Sequence, residues 1–131
     1  MKAIKKSYKI GAPIEQVWKA LVDPEIIDKW GGAPLKMDSK VGSKFQLWGG
    51  DIYGKNIEVV DKKKLVQEWS IGDWSKPSIV TFTLKGEGNE TILDLEHVDV
   101  PEEEVDDIDH GWDDYYIGPL KKMLEKKGEH Y

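Results

Sequence analysis

The sequence contains no cysteine and no arginine, and these two absences exclude several kinds of chemistry. Without cysteine the chain has no disulfide bond, no thiolate nucleophile and no cysteine-ligated zinc, which is compatible with a reducing cytosol. The 19 residues counted as lysine or arginine are therefore all lysines. A site that holds phosphate or carboxylate through a bidentate guanidinium group is excluded as well.

Long apolar runs are also missing. The first ten residues, MKAIKKSYKI, do not contain the apolar stretch of a signal peptide, and no other stretch approaches the length of a membrane span. The net charge of −6 argues against nucleic acid as a partner. We therefore expect a cytoplasmic protein that has neither a membrane span nor a nucleic-acid partner.

Phenylalanine is scarce, with two residues, whereas tryptophan contributes six and tyrosine five. Tryptophan and tyrosine combine a large apolar ring with one polar group, which suits the walls of a cavity or an interface. A tryptophan-rich core whose hydrogen bonds are satisfied internally is the alternative. At 131 residues the chain is long enough to form one domain, residues 1–131, with a substantial core.

Residues 101–131 predict a long amphipathic helix that covers the rest of the chain. Acidic residues predominate in its first part and lysines in its last part, which complements the helix dipole. Gly118 and Pro119 predict a kink or a break, because proline cannot supply the helical backbone hydrogen bond. Apolar side chains recur at spacings of three and four and therefore share one helical face; they are Val105, Ile108, Trp112, Tyr115, Tyr116, Leu120, Met123 and Leu124.

The chain begins with a predicted strand and two predicted short helices. Residues 3–10 alternate between apolar and polar side chains, the pattern of a half-buried strand. Helical spacing follows Pro13 over residues 14–21. Asp23 and Pro24 then predict the N-cap and the first residue of a second helix, which runs to Trp30.

Short polar turns separate the remaining strand candidates, which favours an antiparallel meander. The expected fold is α+β, with a curved sheet of six to seven strands and the long C-terminal helix across it. Where one helix and a curved sheet cannot fill the space between them, a pocket remains. The strand candidates are 35–39, 44–48, 52–60, 65–71, 78–85 and 90–98.

Several segments resemble known families. The residues Ala12-Pro13, Val17-Trp18, Asp23-Pro24 and Trp30 are similar to the N-terminal signature of the helix-grip superfamily, which includes START domains and the birch-pollen allergen (the SRPBCC group). The chain more closely resembles the C-terminal domain of the activator of heat-shock protein 90 ATPase. The segments that carry this likeness are 42–45 (GSKF), 50–54, 65–69 (LVQEW), 72–74 (GDW) and 110–116 (HGWDDYY).

The resemblance implies a helix-grip fold for essentially the whole chain. Stand-alone members of the family are presumed to bind hydrophobic small molecules, and the eukaryotic activators act on heat-shock protein 90. We predict an apolar cavity between the sheet and the last helix. Its predicted lining is Trp30 near the mouth, Phe45, Leu47, Trp69, Phe82, Leu95 and His97 from the sheet, and Trp112, Tyr115 and Tyr116 from the helix.

Two histidines are candidates for chemistry. His97 continues the alternation of Leu93 and Leu95, so we expect an inward, neutral histidine with a backbone hydrogen-bond partner. An acid–base or hydrogen-bonding role in the pocket is the functional alternative. His110 lies among four aspartates, but the segment departs from the calcium-loop pattern. We expect a solvated acidic helix start there, without a metal.

The sequence contains no recognisable serine–histidine–acid arrangement, phosphate-cradling loop or dinucleotide fingerprint, so we predict no catalytic residue and no cofactor. Three hypotheses follow. The first is a non-enzymatic binding protein for a small apolar or aromatic ligand. The second is a co-chaperone that binds a heat-shock protein 90 homologue. The third is a cavity enzyme that uses His97.

Overall fold

A six-stranded antiparallel sheet forms the body of the protein. The computed structural model describes residues 2–34 and 36–128. The strands stand in the order β1-β6-β5-β4-β3-β2, so β1 and β2 form the two edges. Their bounds are β1 Lys2–Ile10, β2 Lys44–Leu47, β3 Ile52–Val60, β4 Lys64–Ile71, β5 Ser78–Glu87 and β6 Glu90–Val100.

Two short helices, α1 (Ile14–Val22) and α2 (Pro24–Trp30), follow β1 as predicted. The Asp23 carboxylate caps α2 by accepting a hydrogen bond from the Glu25 backbone N–H, 2.9 Å away. Gly31 ends the helix in the left-handed conformation, with φ of 102°, which glycine adopts without strain.

The predicted strand at residues 35–39 is wrong. Lys36 forms a single isolated bridge with Gln46, and Leu35 lies outside the described residues. The reason lies in a side chain of β3. The Asn56 amide donates to the backbone carbonyls of Asp38 and Lys40, so these groups are bound locally and do not enter a strand ladder. The remaining strand candidates are confirmed, each within two residues at its ends.

The core lies on the face of the sheet against which the helices pack. Buried side chains alternate along the central strands, because successive side chains of a strand point to opposite faces. The inward positions are Leu65, Gln67 and Trp69 on β4, Val80, Phe82 and Leu84 on β5, and Leu93, Leu95 and His97 on β6. The predicted α+β helix-grip architecture is thereby confirmed.

The predicted kink or break at Gly118 and Pro119 is wrong, because the C-terminal helix continues through both residues. The helix is irregular before them instead, in a π-helical turn. A 3₁₀ turn at Glu102–Glu104 leads into α3 (Val105–Gly111), the π turn spans Trp112–Tyr116, and α4 runs over Ile117–Gly128. The Ile117 N–H donates to the Trp112 carbonyl, five residues earlier. None of the helices in the described ranges is long and apolar enough to cross a membrane.

Hydrogen bonds and ion pairs fix this helix to β1. The Asp113 carboxylate accepts hydrogen bonds from Lys6 Nζ at 2.8 Å and from the Tyr8 hydroxyl at 2.7 Å, and Lys6 also pairs with Asp109. These two hydrogen bonds hold the pKa of Asp113 below its usual value. Burial alone would lower the pKa of Lys6, but its bonds to both carboxylates outweigh that effect and raise it. Two aspartates expected to be solvated are therefore structural.

The π turn predicts opposite effects for two glycine-to-alanine substitutions. A Cβ at Gly118 would lie 1.9 Å from the Asp113 carbonyl oxygen. We expect Gly118→Ala to lower the free energy of unfolding by about 2 kcal/mol, since the turn must shift. Gly111→Ala is the control, because its Cβ would meet only a Tyr115 ring carbon at 3.9 Å. It should stabilise the helix by up to about 1 kcal/mol.

Urea unfolding of both variants measures the difference. Equal changes in stability for the two substitutions would show that the close backbone approach at Gly118 has no energetic importance.

Candidate functional site

An apolar groove of about 440 Å³ opens between the first part of the C-terminal helix and the β3–β4 side of the sheet. The volume lies within the range of small-molecule sites, about 300–1,000 Å³. Aromatic and aliphatic side chains make up most of its lining. The lining residues are Trp48, Asp51, Ile52, Trp69, Ile71, Glu104, Asp107, Ile108, Gly111, Trp112, Tyr115 and Tyr116.

Three packed rings meet at this groove. Trp69 of β4 stacks on Trp112, with ring centroids 4.8 Å apart and planes at 28°. The Tyr116 ring lies at the same centroid distance, 4.8 Å, from Trp112, but its plane is tilted by 46°. These two residues are four apart and share one helical face. The helix thus supplies two rings and the sheet one.

Gly54 allows the side chains of the two neighbouring strands to pack across β3. It lies opposite Phe45 on β2 and Trp69 on β4. A Cβ at this position would lie 1.7 Å from the Glu68 carbonyl oxygen and 3.2 Å from the Phe45 ring. Only glycine therefore fits, and the Phe45 and Trp69 ring centroids lie 6.2 Å apart across it, with the ring planes tilted by 53°.

Trp48 joins the site through an unusual backbone conformation. Strand alternation places Leu47 inward and would place Trp48 outward. The Trp48 φ of 50° instead lies in the left-handed region, and its ring packs 6.1 Å from Trp30 and 6.0 Å from Tyr116. Sequence periodicity could not find this residue, although the following Gly49-Gly50 pair signalled a break in the strand.

The structure divides the predicted cavity residues into two groups. Trp69, Trp112, Tyr115 and Tyr116 line the groove, and Tyr115 lies at its rim with 68% of its surface exposed. The other six predicted residues are buried in the core and are absent from the groove lining. They are Trp30, Phe45, Leu47, Phe82, Leu95 and His97.

His97 is inward and fully buried, as predicted, but its partners are side chains. Trp112 Nε1–H can only donate, so His97 Nδ1, 3.1 Å away, must accept. The ring proton is therefore on Nε2 and is donated to Ser78 Oγ at 2.7 Å. Ser78 in turn donates to the Trp69 carbonyl. Burial lowers the pKa of His97 to about 4, which keeps the ring neutral.

A second chain of hydrogen bonds supports Trp69 from the other side. The Trp69 indole N–H donates to Gln67, and the Gln67 amide donates to Asn56, which holds the backbone of residues 38 and 40. Each polar group in this buried chain is paired. The orientation of the Trp69 ring is therefore fixed by the sheet.

The Tyr116 hydroxyl differs from these groups. It is buried, and no group in residues 2–34 and 36–128 forms a hydrogen bond with it. Burial raises the pKa of Tyr116 well above its usual value, so the hydroxyl stays protonated. A buried hydroxyl without a partner costs roughly 1–3 kcal/mol.

The polar part of the lining is acidic. Asp51, Glu104 and Asp107 line the groove together with the apolar side chains. Glu104 also accepts a hydrogen bond from the Trp74 indole, which ties the β4–β5 loop to the start of the helix. Within the described part of the chain, no three His, Asp or Glu side chains are arranged to hold a metal ion. The arrangement is suited to binding an apolar molecule.

The sheet order, the two helices after β1 and the long C-terminal helix define a helix-grip α+β protein. Residues 11–125 match the family described as Activator of Hsp90 ATPase homolog 1-like protein. The chain therefore belongs to this family.

Curated relatives include the Activator of 90 kDa heat shock protein ATPase homolog 1 of Homo sapiens, 26% identical over 112 residues. The Hsp90 co-chaperone AHA1 of Saccharomyces cerevisiae is 26% identical over 117 residues. The alignments cover 84% and 83% of this chain but 33% of each relative. The chain thus spans about a third of the length of the relatives it matches.

Solved structures share the fold. An HSP90 activator from Plasmodium falciparum aligns with a TM-score of 0.87 and 24% identity, covering 95% of this chain and 97% of that chain. CalU16 from Micromonospora echinospora aligns with a TM-score of 0.82 and 28% identity, covering 93% of this chain and 73% of that chain.

The His97 network predicts a pH dependence of stability. The unfolded state binds a proton near pH 6.5, whereas the folded pKa is about 4. The contribution of His97 to the free energy of unfolding is fully present above pH 6.5. It is lost as the pH falls through the folded pKa, by about 3 kcal/mol in total. His97→Asn does not titrate and should lose this part of the acid sensitivity. Urea unfolding at several pH values compares the free energies of unfolding of the two proteins. Parallel pH profiles would contradict the lowered pKa of His97.

Two tyrosine-to-phenylalanine variants test the unpaired hydroxyl. We expect Tyr116→Phe to raise the free energy of unfolding by about 1 kcal/mol, since it removes a buried polar group without a partner. Tyr8→Phe is the control, because the Tyr8 hydroxyl donates to Asp113. It should lower the free energy of unfolding by about 1 kcal/mol. Thermal unfolding measures both, and destabilisation by Tyr116→Phe would reveal a partner for its hydroxyl.

Proposed function

We propose that this protein is a non-enzymatic cytoplasmic binding protein whose groove takes a small apolar or aromatic ligand. The observation that carries the proposal is the open groove against the Trp69, Trp112 and Tyr116 rings. The Trp69 and Trp112 indoles are each held by a chain of buried hydrogen bonds, so this part of the wall does not need to be rearranged when a ligand binds. Tyr115 and Ile108 extend this apolar surface to the rim.

The lining favours binding over catalysis. Among the described residues, no histidine, lysine, serine or threonine lines the groove, and its titratable groups are three carboxylates and two tyrosines. His97 does not line the groove, and both of its ring nitrogens are engaged in hydrogen bonds. The hypothesis of a cavity enzyme that uses His97 therefore has no support from this geometry.

Titration with the neutral fluorescent probe N-phenyl-1-naphthylamine tests the binding function. We expect saturable fluorescence enhancement in the intact protein. Tyr115→Ala should weaken binding roughly 3–10-fold, because it removes apolar contact surface from the rim without disturbing the core. Val60→Ala is the control, since Val60 is an exposed apolar residue at the far end of β3. Absence of saturable binding, or equal effects of the two variants, would refute a ligand site in the groove.

A co-chaperone role is the second candidate. The curated relatives are named as activators of the 90 kDa heat shock protein ATPase and as an Hsp90 co-chaperone. The helix start adds a surface of exposed acidic residues that could steer a lysine-rich partner. A pull-down and an ATPase assay with a heat-shock protein 90 homologue test this role. If the protein neither binds the homologue nor stimulates its ATPase activity, the co-chaperone role is eliminated.

A further inference from the structure

Every charged residue that lines the groove within the described part of the chain is a carboxylate. Asp51 belongs to the connection between β2 and β3, whereas Glu104 and Asp107 belong to the start of the C-terminal helix. The charges therefore come from two different walls. None of the lysines among the described residues lines the groove.

The carboxylates of Asp51 and Asp107 are not neutralised. Neither forms an ion pair or a side-chain hydrogen bond with another described residue. In contrast, Asp109 and Asp113 on the other side of the same helix are compensated by Lys6. The groove therefore keeps a negative potential that the β1 side of the helix does not have.

One further feature favours a cation. The Tyr115 ring is 68% exposed at the rim and can attract a positive charge through its π face. A carboxylate ligand would instead meet three like charges and, among the described lining residues, no cation.

We propose that the groove selects apolar or aromatic amines that are positively charged at neutral pH, and excludes the corresponding carboxylates. This inference rests on the proposed ligand-binding function and gives the chemical class of the ligand. The apolar body packs against the rings, and the ammonium group lies toward Asp51 and Asp107.

Three naphthalene probes that differ mainly in their charge test this selectivity. They are 1-naphthylmethylamine, 1-naphthalenemethanol and 1-naphthoate, titrated by calorimetry and by amide chemical-shift changes at the groove. We expect the amine to bind about 10-fold more tightly than the alcohol, and the alcohol more tightly than the acid, because charges near a protein surface interact through an intermediate dielectric. Raising the salt from about 0.05 M to about 0.5 M should reduce the preference for the amine.

A charge-neutralising double variant locates the effect. Asp51→Asn with Asp107→Asn should bring the amine and the alcohol to within about 2-fold of each other. The control is Asp61→Asn with Glu87→Gln, which changes the net charge by the same amount. These residues lie at the C-terminal ends of β3 and β5, away from the groove. The control should keep the preference, because at about 3.3 Å per residue these sites are far from the groove and screened.

The outcomes separate the inference from the function on which it rests. Equal binding of the three probes, with shifts at the groove, would overturn the charge selectivity and leave the ligand site intact. Equal loss of selectivity in both double variants would also overturn it, since the effect would then come from net charge alone. Failure of all three probes to bind would overturn the selectivity and the proposed ligand site together.

Discussion

The stacking of Trp69 on Trp112 is the contact on which the rest of this structure depends. It joins the middle of the sheet to the middle of the C-terminal helix, with ring centroids 4.8 Å apart. Each indole N–H is engaged in a different chain of buried hydrogen bonds, one through Gln67 and one through His97. Large aromatic rings bury about 150–250 Å² each, so this pair contributes heavily to the core while its polar groups remain satisfied.

The π turn determines what the helix presents to the sheet. The wider turn over Trp112–Tyr116 accompanies an inward position of both Trp112 and Tyr116 and leaves Tyr115 at the rim. Glycine at 118 is required because the Asp113 carbonyl approaches it so closely. Backbone irregularities of this kind are frequent at functional sites, and here the π turn lies directly against the groove.

The acidic run at the helix start has two physical roles. Asp109 and Asp113 face β1, where Lys6 and Tyr8 compensate them and fix the helix to the sheet edge. Glu104 and Asp107 face the groove on the other side. Helical geometry explains the division, since residues three or four apart share a face and residues two apart do not. One side of the run is therefore structural, and the other gives the groove its charge.

The sequence by itself determined the order and kind of the elements. Strand alternation, the Asp23 cap and the period of the last helix are local signals, and five of the six strand candidates after the helices are confirmed. The π turn was not predicted, and the break expected at Gly118 and Pro119 is not found there. The inward position of His97 followed from the same alternation. These features depend on neighbouring residues in the chain, which is why periodicity and capping patterns are sufficient to predict them.

The site was decided by contacts between distant segments. Asn56 held residues 38 and 40 out of the sheet, and the left-handed backbone turned Trp48 toward the helix. The side-chain partners of His97, where a backbone partner was expected, come from β5 and the π turn. No local pattern encodes such pairings, because they exist only once strands and helix have packed. Whether an inward aromatic side chain fills the core or lines a groove depends on how closely the opposite element approaches, and that distance belongs to the tertiary structure alone.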